Sequence, residues 1–171
     1  RPQEKLTLIK PLAHTPEIIY GDLLKPETLR DALNGMDVAY YLVHSMGGRS
    51  IRQTHAFEKK DRIAAQNFLD AADSVGLSRM IYLGGLGDVQ SDLSPHLKSR
   101  ITVAQTLMLG RVPATCLRAA IIIGSGSASY EIIKHLVQNC PVILVPSWAR
   151  TKCQPIAIRD VIKYLVGVLE K

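Results

Sequence analysis

Arg79-Met80-Ile81-Tyr82-Leu83-Gly84-Gly85-Leu86-Gly87 is the stretch that decides the fold. Its apolar run does not alternate with polar residues, and it stops abruptly on glycines. It is one of three apolar, β-rich runs that alternate with amphipathic helical stretches. Helical periodicity flanks it. Upstream, Phe57, Ala64, Ala65, Phe68, Ala72 and Val75 recur at helical spacing until Gly76 ends the pattern. Downstream, Ser94-Pro95 reads as an N-cap followed by proline at the first helical position. The helix it starts is expected to turn Ile101, Ala104, Leu107 and Met108 inward and to end at Gly110. Strands that alternate with helices in this way are the signature of βαβ units around a parallel sheet.

The same alternation extends outward. Before the long helix, Val38-Ala39-Tyr40-Tyr41-Leu42-Val43 reads as a strand leading into His44-Ser45-Met46-Gly47-Gly48, then a polar stretch around Arg49–His55. Further upstream lie Glu17–Leu23 and a short helix with Pro26 at its start, Leu29 and Leu33 on one face and Gly35 as its stop. Beyond Gly110, Ala114–Ile123 reads as a strand running into Gly124-Ser125-Gly126-Ser127-Ala128-Ser129. A helix over Tyr130–Gln138, a short strand over Val142–Val145, a loop at Trp148 and a helix over Arg159–Glu170 complete the chain. Strands are expected near Ile18–Tyr20, Val38–Val43, Met80–Leu83 and Thr115–Ile123. The fold class is α/β: a doubly wound, mainly parallel sheet with helices on both faces, as one domain over residues 1–171.

Composition narrows the function classes. The 171 residues are 47% hydrophobic and 21% charged, with a formal net charge of +6 spread along the chain. A positive balance favours anionic small molecules. No block of about five like charges appears, so a nucleic-acid arm or a polybasic membrane anchor is not expected. The longest apolar runs are too short to span a bilayer. Cys116, Cys140 and Cys153 have no metal-ligand or disulfide-framework spacing, so no metal site is expected. They read as buried thiols of a cytoplasmic protein.

In open α/β sheets ligands lie at the carboxyl ends of the strands. The first exit offers Asp22, whose carboxylate can accept from an adenine amino group or simply organise the following turn. At the second, small residues around His44 and Ser45 would let a ribose or diphosphate pass over the backbone. At the third, Gly84 and Gly85 either give a planar ligand flat backbone or form a plain turn. His96 and Arg100 lie four apart, on one face of the helix that Ser94 begins. The helix dipole and the neighbouring cation favour a neutral imidazole. Such a ring can carry a proton while Arg100 holds a substrate oxygen; a solvated face with a chance pair is the plainer alternative. The Gly124–Ser129 turn could cradle an anion on backbone N–H groups and hydroxyls, a signal weak by itself.

Several of these segments together resemble the extended and atypical short-chain dehydrogenase/reductases. They are Ile19-Tyr20-Gly21-Asp22-Leu23, Asp37–Met46, Asn67, Arg79–Leu86, Leu117-Arg118-Ala119-Ala120 and Gln154–Val161. The likeness is greatest to the group similar to NmrA and to nucleoside-diphosphate-sugar epimerases, and it covers Pro2 to Glu170. It implies a Rossmann-type fold and NAD or NADP as cofactor. It implies that Asp22 and Leu23 lie by the adenine, that Val43, His44 and Ser45 follow the cofactor, and that Gly84 and Gly85 stand where a catalytic Ser or Thr usually sits. His96 and Arg100 would then occupy the places of the family's Tyr-xxx-Lys pair, a departure that removes the usual proton carrier. The opening Arg1-Pro2-Gln3-Glu4-Lys5-Leu6 resembles the loop after a second strand. A Gly-rich βαβ segment of about 30 residues is therefore expected ahead of it.

Two functions remain open from sequence. One is an oxidoreductase or sugar-nucleotide epimerase acting on a small molecule, with His96 and Arg100 as its catalytic pair. The other is a non-catalytic dinucleotide sensor or assembly subunit. A nucleotide or small-molecule partner is expected in either case. The apolar surface that a chain without its opening segment would leave open favours a homo-oligomer.

Overall fold

The computed structural model describes residues 16–45, 51–87, 93–124, 126–143 and 152–169, excepting the side chains of residues 51–56, 128 and 129. The element order is α1 (Glu27–Leu33), β1 (Val38–Tyr41), α2 (Ile51–Val75), β2 (Arg79–Gly85), α3 (Pro95–Leu107), β3 (Ala114–Ala119), β4 (Ile122–Ile123), α4 (Ala128–Asn139), β5 (Ile156–Ala157) and α5 (Ile158–Gly167). Strands β1, β2 and β3 form a parallel sheet in that order, and β4 and β5 form a second parallel pair.

Strand periodicity explains the layering. Ala39, Tyr41, Met80 and Tyr82 point to one face, where they join Ala65, Phe68, Leu69, Ala72, Val103 and Leu107 of α2 and α3 in the main core. Tyr41 meets Phe68 edge to face at 5.0 Å. Tyr40 points to the opposite face, where its hydroxyl donates to the Leu165 carbonyl of α5 at 2.7 Å. Arg79 at the start of β2 donates to the Val168 carbonyl, also at 2.7 Å. Both bonds satisfy carbonyls at the C-terminal end of α5, where a helix leaves acceptors unpaired and a cation is favourable. Helices thus lie on both faces of the parallel sheet.

Most elements form where the sequence places them, and the departures have physical reasons. Ile18–Tyr20 is not a strand; its residues are 61, 43 and 73% exposed and pair with no strand among the described residues. β-forming composition alone does not hold a strand without a neighbour to complete its ladder. The expected strand over Thr115–Ile123 is broken after Ala119, and Ile122–Ile123 turns away to pair with Ile156–Ala157. Residues 51–55 belong to α2 rather than to a polar loop. Val142 and Ile143 are not in a strand, and the rest of that expected strand lies outside the described residues, as does the Trp148 loop.

Helix α3 buries Leu107 and packs Ala104 against the core as expected, but its buried face is turned from the expected one. Ser99, Val103, Thr106 and Leu107 are inside, whereas Met108 is 62% exposed. Two of the inward residues are polar, and each has a partner: Ser99 bonds Asp61, and Thr106 bonds the Thr102 carbonyl. Cys153 is exposed rather than buried, while Cys116 and Cys140 are half-buried. No described helix is long and apolar enough to cross a membrane.

Candidate functional site

Parallel register brings the strand exits together. Tyr41 pairs with Tyr82, Leu83 with Leu117, Gly84 with Arg118 and Gly85 with Ala119. Leu42–Ser45, Gly85–Gly87 and Ala119–Ala120 therefore leave the sheet along the same edge. Helix α3 returns over this edge. Its N-cap is Ser94, whose hydroxyl accepts from the Leu97 N–H at 3.4 Å, so His96 stands in the first turn.

One carboxylate ties this corner together. Asp61, in α2, is only 5% exposed. Its Oδ1 accepts from the Ser45 backbone N–H at 2.8 Å, and its Oδ2 accepts from the Ser99 hydroxyl at 2.8 Å. A buried carboxylate is costly unless both oxygens are bonded, and here both are. Asp61 thus links the exit of β1 to α3, one turn beyond His96.

The two histidine rings face each other across the corner. His44 and His96 lie 6.2 Å apart in an edge-to-face arrangement, and Phe57 of α2 packs 6.1 Å from the His96 ring. Partial burial lowers the His44 pKa from its ordinary value; Arg100 and then His96 lower it further, and Asp61 opposes them. His96 is lowered by burial first, then by Arg100, again with Asp61 opposing. The sequence argument for a neutral His96 relied on the helix dipole and on Arg100. Burial is the larger cause. In both rings the neutral form, which can accept a proton, is thereby favoured over the imidazolium.

The phenols nearby cannot take that task. Tyr41 and Tyr82 are 3% and 1% exposed, and Tyr82 donates to the Arg100 carbonyl at 3.3 Å. Burial holds both pKa values above the ordinary phenol range, and Asp61 adds to the rise at Tyr41.

The other sequence candidates have their own surroundings. Asp22 organises its turn: its Oδ1 accepts from the Leu24 N–H at 2.9 Å, and its backbone N–H donates to the Thr28 hydroxyl at 2.9 Å. The Leu23 carbonyl accepts from Asn67 of α2 at 2.8 Å. Val43 is 56% exposed, an open apolar side chain beside the end of β2. A Cβ on Gly84 would stand 2.8 Å from the Tyr82 ring, and one on Gly85 would stand 2.8 Å from Leu97. The lack of side chains there lets the chain pack tightly upon itself. Gly124 packs against Ile158. The Ser127 hydroxyl donates to the Ile122 carbonyl, so it serves its own turn rather than an anion.

Asp61, Ser99 and Phe57 are the residues of this corner that the sequence reading passed over as site residues. One signal was available. Phe57, Asp61, Ala64, Ala65 and Phe68 share a helical stripe, so Asp61 is a carboxylate on an otherwise apolar face.

Beside the corner, Leu83, Leu117, Arg118, Ile156, Val161 and Tyr164 line a cavity of about 210 Å³ between the two sheets. It is below the usual size of a small-molecule pocket, which starts near ~300 Å³. Leu42 and Val43 form an exposed apolar rim beside the glycine exit of β2.

A parallel sheet covered by helices on both faces is an α/β fold of the Rossmann type. The chain belongs to the NAD(P)H-binding family, which matches residues 1–134. No curated protein matches it in sequence. Among solved structures, it is similar to the UDP-glucose 4-epimerase of Thermotoga maritima with UDP-glucose (TM-score 0.71, 14% identity, 88% of this chain and 58% of that one). It is also similar to the UDP-glucuronic acid 4-epimerase of Bacillus cereus in complex with UDP-glucuronic acid and NAD (TM-score 0.69, 21% identity, 88% and 55%). A third is a double mutant of the dTDP-glucose 4,6-dehydratase of Streptomyces venezuelae with NAD bound (TM-score 0.68, 17% identity, 88% and 53%). At these identities the likeness is one of fold, and the chain spans little more than half the length of each. The cofactor class is NAD(P).

Proposed function

We propose that the chain is the cofactor-binding part of an NAD(P)-dependent oxidoreductase or sugar-nucleotide epimerase in which His96 carries the proton and Arg100 orients the substrate oxygen. The observation that carries this reading is the pair of histidine rings 6.2 Å apart at the exit of β1 and the start of α3, with Arg100 one turn beyond His96. When bound, NAD(P) supplies hydride transfer. In this reading Asp22 and Leu23 lie along its adenosine, Val43 and His44 along its path, and Gly84 and Gly85 bring backbone close to it. The Ser45 N–H is engaged by Asp61, so Ser45 shapes that path through its fixed backbone.

The chemistry assigned to the side chains is simple. A substrate alcohol that loses hydride must also lose a proton, and a carbonyl that gains hydride must gain one. The His96 imidazole accepts or returns that proton, while Arg100, always charged, holds the oxygen on which charge develops. Tyr41 and Tyr82 are too buried to compete.

Two variants test this together. His96→Gln should lower kcat by roughly 10²–10⁴-fold in an NAD(P)-coupled assay with carbonyl or sugar-nucleotide substrates, the usual worth of a general acid–base group. Its affinity for NAD(P), read by calorimetry, should hardly change. Val43→Asp should do the reverse and weaken cofactor binding by roughly tenfold or more, because it places a carboxylate on the apolar path of an anionic ligand. Full activity in His96→Gln would overturn the catalytic assignment. Unchanged NAD(P) binding in Val43→Asp would overturn the assigned path.

A further inference from the structure

Asp61 is not accounted for by cofactor binding or by the proton-carrying step. It is 5% exposed, and its bonding partner Ser99 is 3% exposed, so it cannot touch a substrate. Its two oxygens nevertheless hold two segments that carry site residues: Ser45 follows His44 in the chain, and Ser99 lies between His96 and Arg100. An apolar residue on the same helical stripe would pack α2 against α3 but would leave the Ser45 N–H and the Ser99 hydroxyl without their partner.

We propose that Asp61 is a positioning residue of the His44–His96 site, one buried carboxylate that fixes the exit of β1 against α3 and counters the charge of whichever histidine takes up a proton. The geometric part follows from the two 2.8 Å bonds, which set the facing distance of the rings by holding the backbone on each side. The electrostatic part follows from the charges that act on the pair. Arg100 of α3 opposes protonation of both rings, and a charge on His96 opposes one on His44. Tyr41 of β1 and Tyr82 of β2 remain neutral phenols. Among the described residues, Asp61 of α2 is a negative charge that favours protonation of both histidines. This inference rests on the reading that a histidine here carries a proton, but it concerns the free protein and is tested without substrate.

The experiment is an NMR titration of the His44 and His96 rings in the wild-type chain, in Asp61→Asn and in Ser99→Ala. Asparagine keeps the shape and can still accept from the Ser45 N–H, but it removes the charge. Alanine at 99 removes one bond and leaves the charge. The expected result is a fall of about half a pH unit or more in both histidine midpoints in Asp61→Asn, with little movement in Ser99→Ala. Equal shifts in the two variants would reduce Asp61 to a packing role, and no shift in Asp61→Asn would overturn the proposal outright. Should Asp61→Asn fail to fold, the wild type decides. The Ser45 amide proton, bonded to the carboxylate, should move with the same midpoint as the rings, and an amide that ignores the histidine titration would refute the coupling. An Asp61-dependent titration in a protein whose His96→Gln variant keeps full activity would remove the catalytic reading and leave this one standing.

Discussion

His44 and His96 give the corner a pH dependence whose sign follows from the structure. Both have folded pKa values below the ordinary histidine value, so below about pH 6.5 the unfolded chain binds more protons than the folded one. Their contribution to stability is therefore fully present above that pH and is lost as the pH falls through the folded values. The melting temperature should drop between pH 7 and 5, and in His44→Gln/His96→Gln it should drop less. A double variant as acid-sensitive as the wild type would assign the acid response to other groups. Any activity that depends on a neutral His96 should decline over the same range. His96 and Arg100 were legible as a pair from their spacing of four. Their convergence with His44 followed from the rule that strand exits of an open sheet gather along one edge. The contact between the rings depends on β1 and β2 being adjacent and in register, which spacing within one segment does not report.

At the scale of the element, Gly110 shows how tightly the turn after α3 is built. A Cβ there would run into the Leu69 side chain of α2 and would lie 3.2 Å from Asp73 Oδ1. Asp73 itself accepts from the Arg111 and Val112 N–H groups at 3.1 and 3.0 Å, fixing the approach to β3. Gly110→Ala should destabilise the protein by about 1–3 kcal/mol, as overpacking does. Gly167→Ala, whose Cβ would meet nothing within 4 Å, should be neutral or slightly stabilising. Denaturant midpoints of the two variants would separate these outcomes. The sequence marked Gly110 as a stop but could not show that Leu69 fills the space above it. Periodicity found the buried face of α2, which is almost wholly apolar. For α3 it found Leu107 and Ala104 but chose Met108 over Ser99, because hydrophobicity ranks them so, whereas Ser99 has a buried partner in Asp61. Ile18–Tyr20 failed for a related reason: a strand is a relation between two segments, and local composition reports only one.

The whole molecule joins a well-packed parallel sheet to a smaller pair, β4–β5, carrying α5. The main core is closed, with Met80, Ala65, Ala72 and Leu107 fully buried. Leu107→Ala should cost about 2–5 kcal/mol in denaturant unfolding. Helix α5 depends more on polar ties, since its Ile162, Tyr164 and Val166 are more than half exposed. Tyr40 and Arg79 reach its last carbonyls from the first sheet. Arg79→Met should raise amide hydrogen exchange in α5 well before it affects α2. Equal protection of α5 in both forms would show that the apolar contacts of Val161 suffice.

The differing exposure of the three thiols gives this fold a ready chemical handle. Cys116 is half-buried in β3, and burial raises its pKa, so little of it is thiolate near neutrality. Cys140 is half-buried at the end of α4. Cys153 stands open just ahead of β5. A maleimide dye added in slight excess should therefore label Cys153 first. A fluorophore there, close to where β5 joins β4, would report any relative movement of the two sheets without an engineered cysteine.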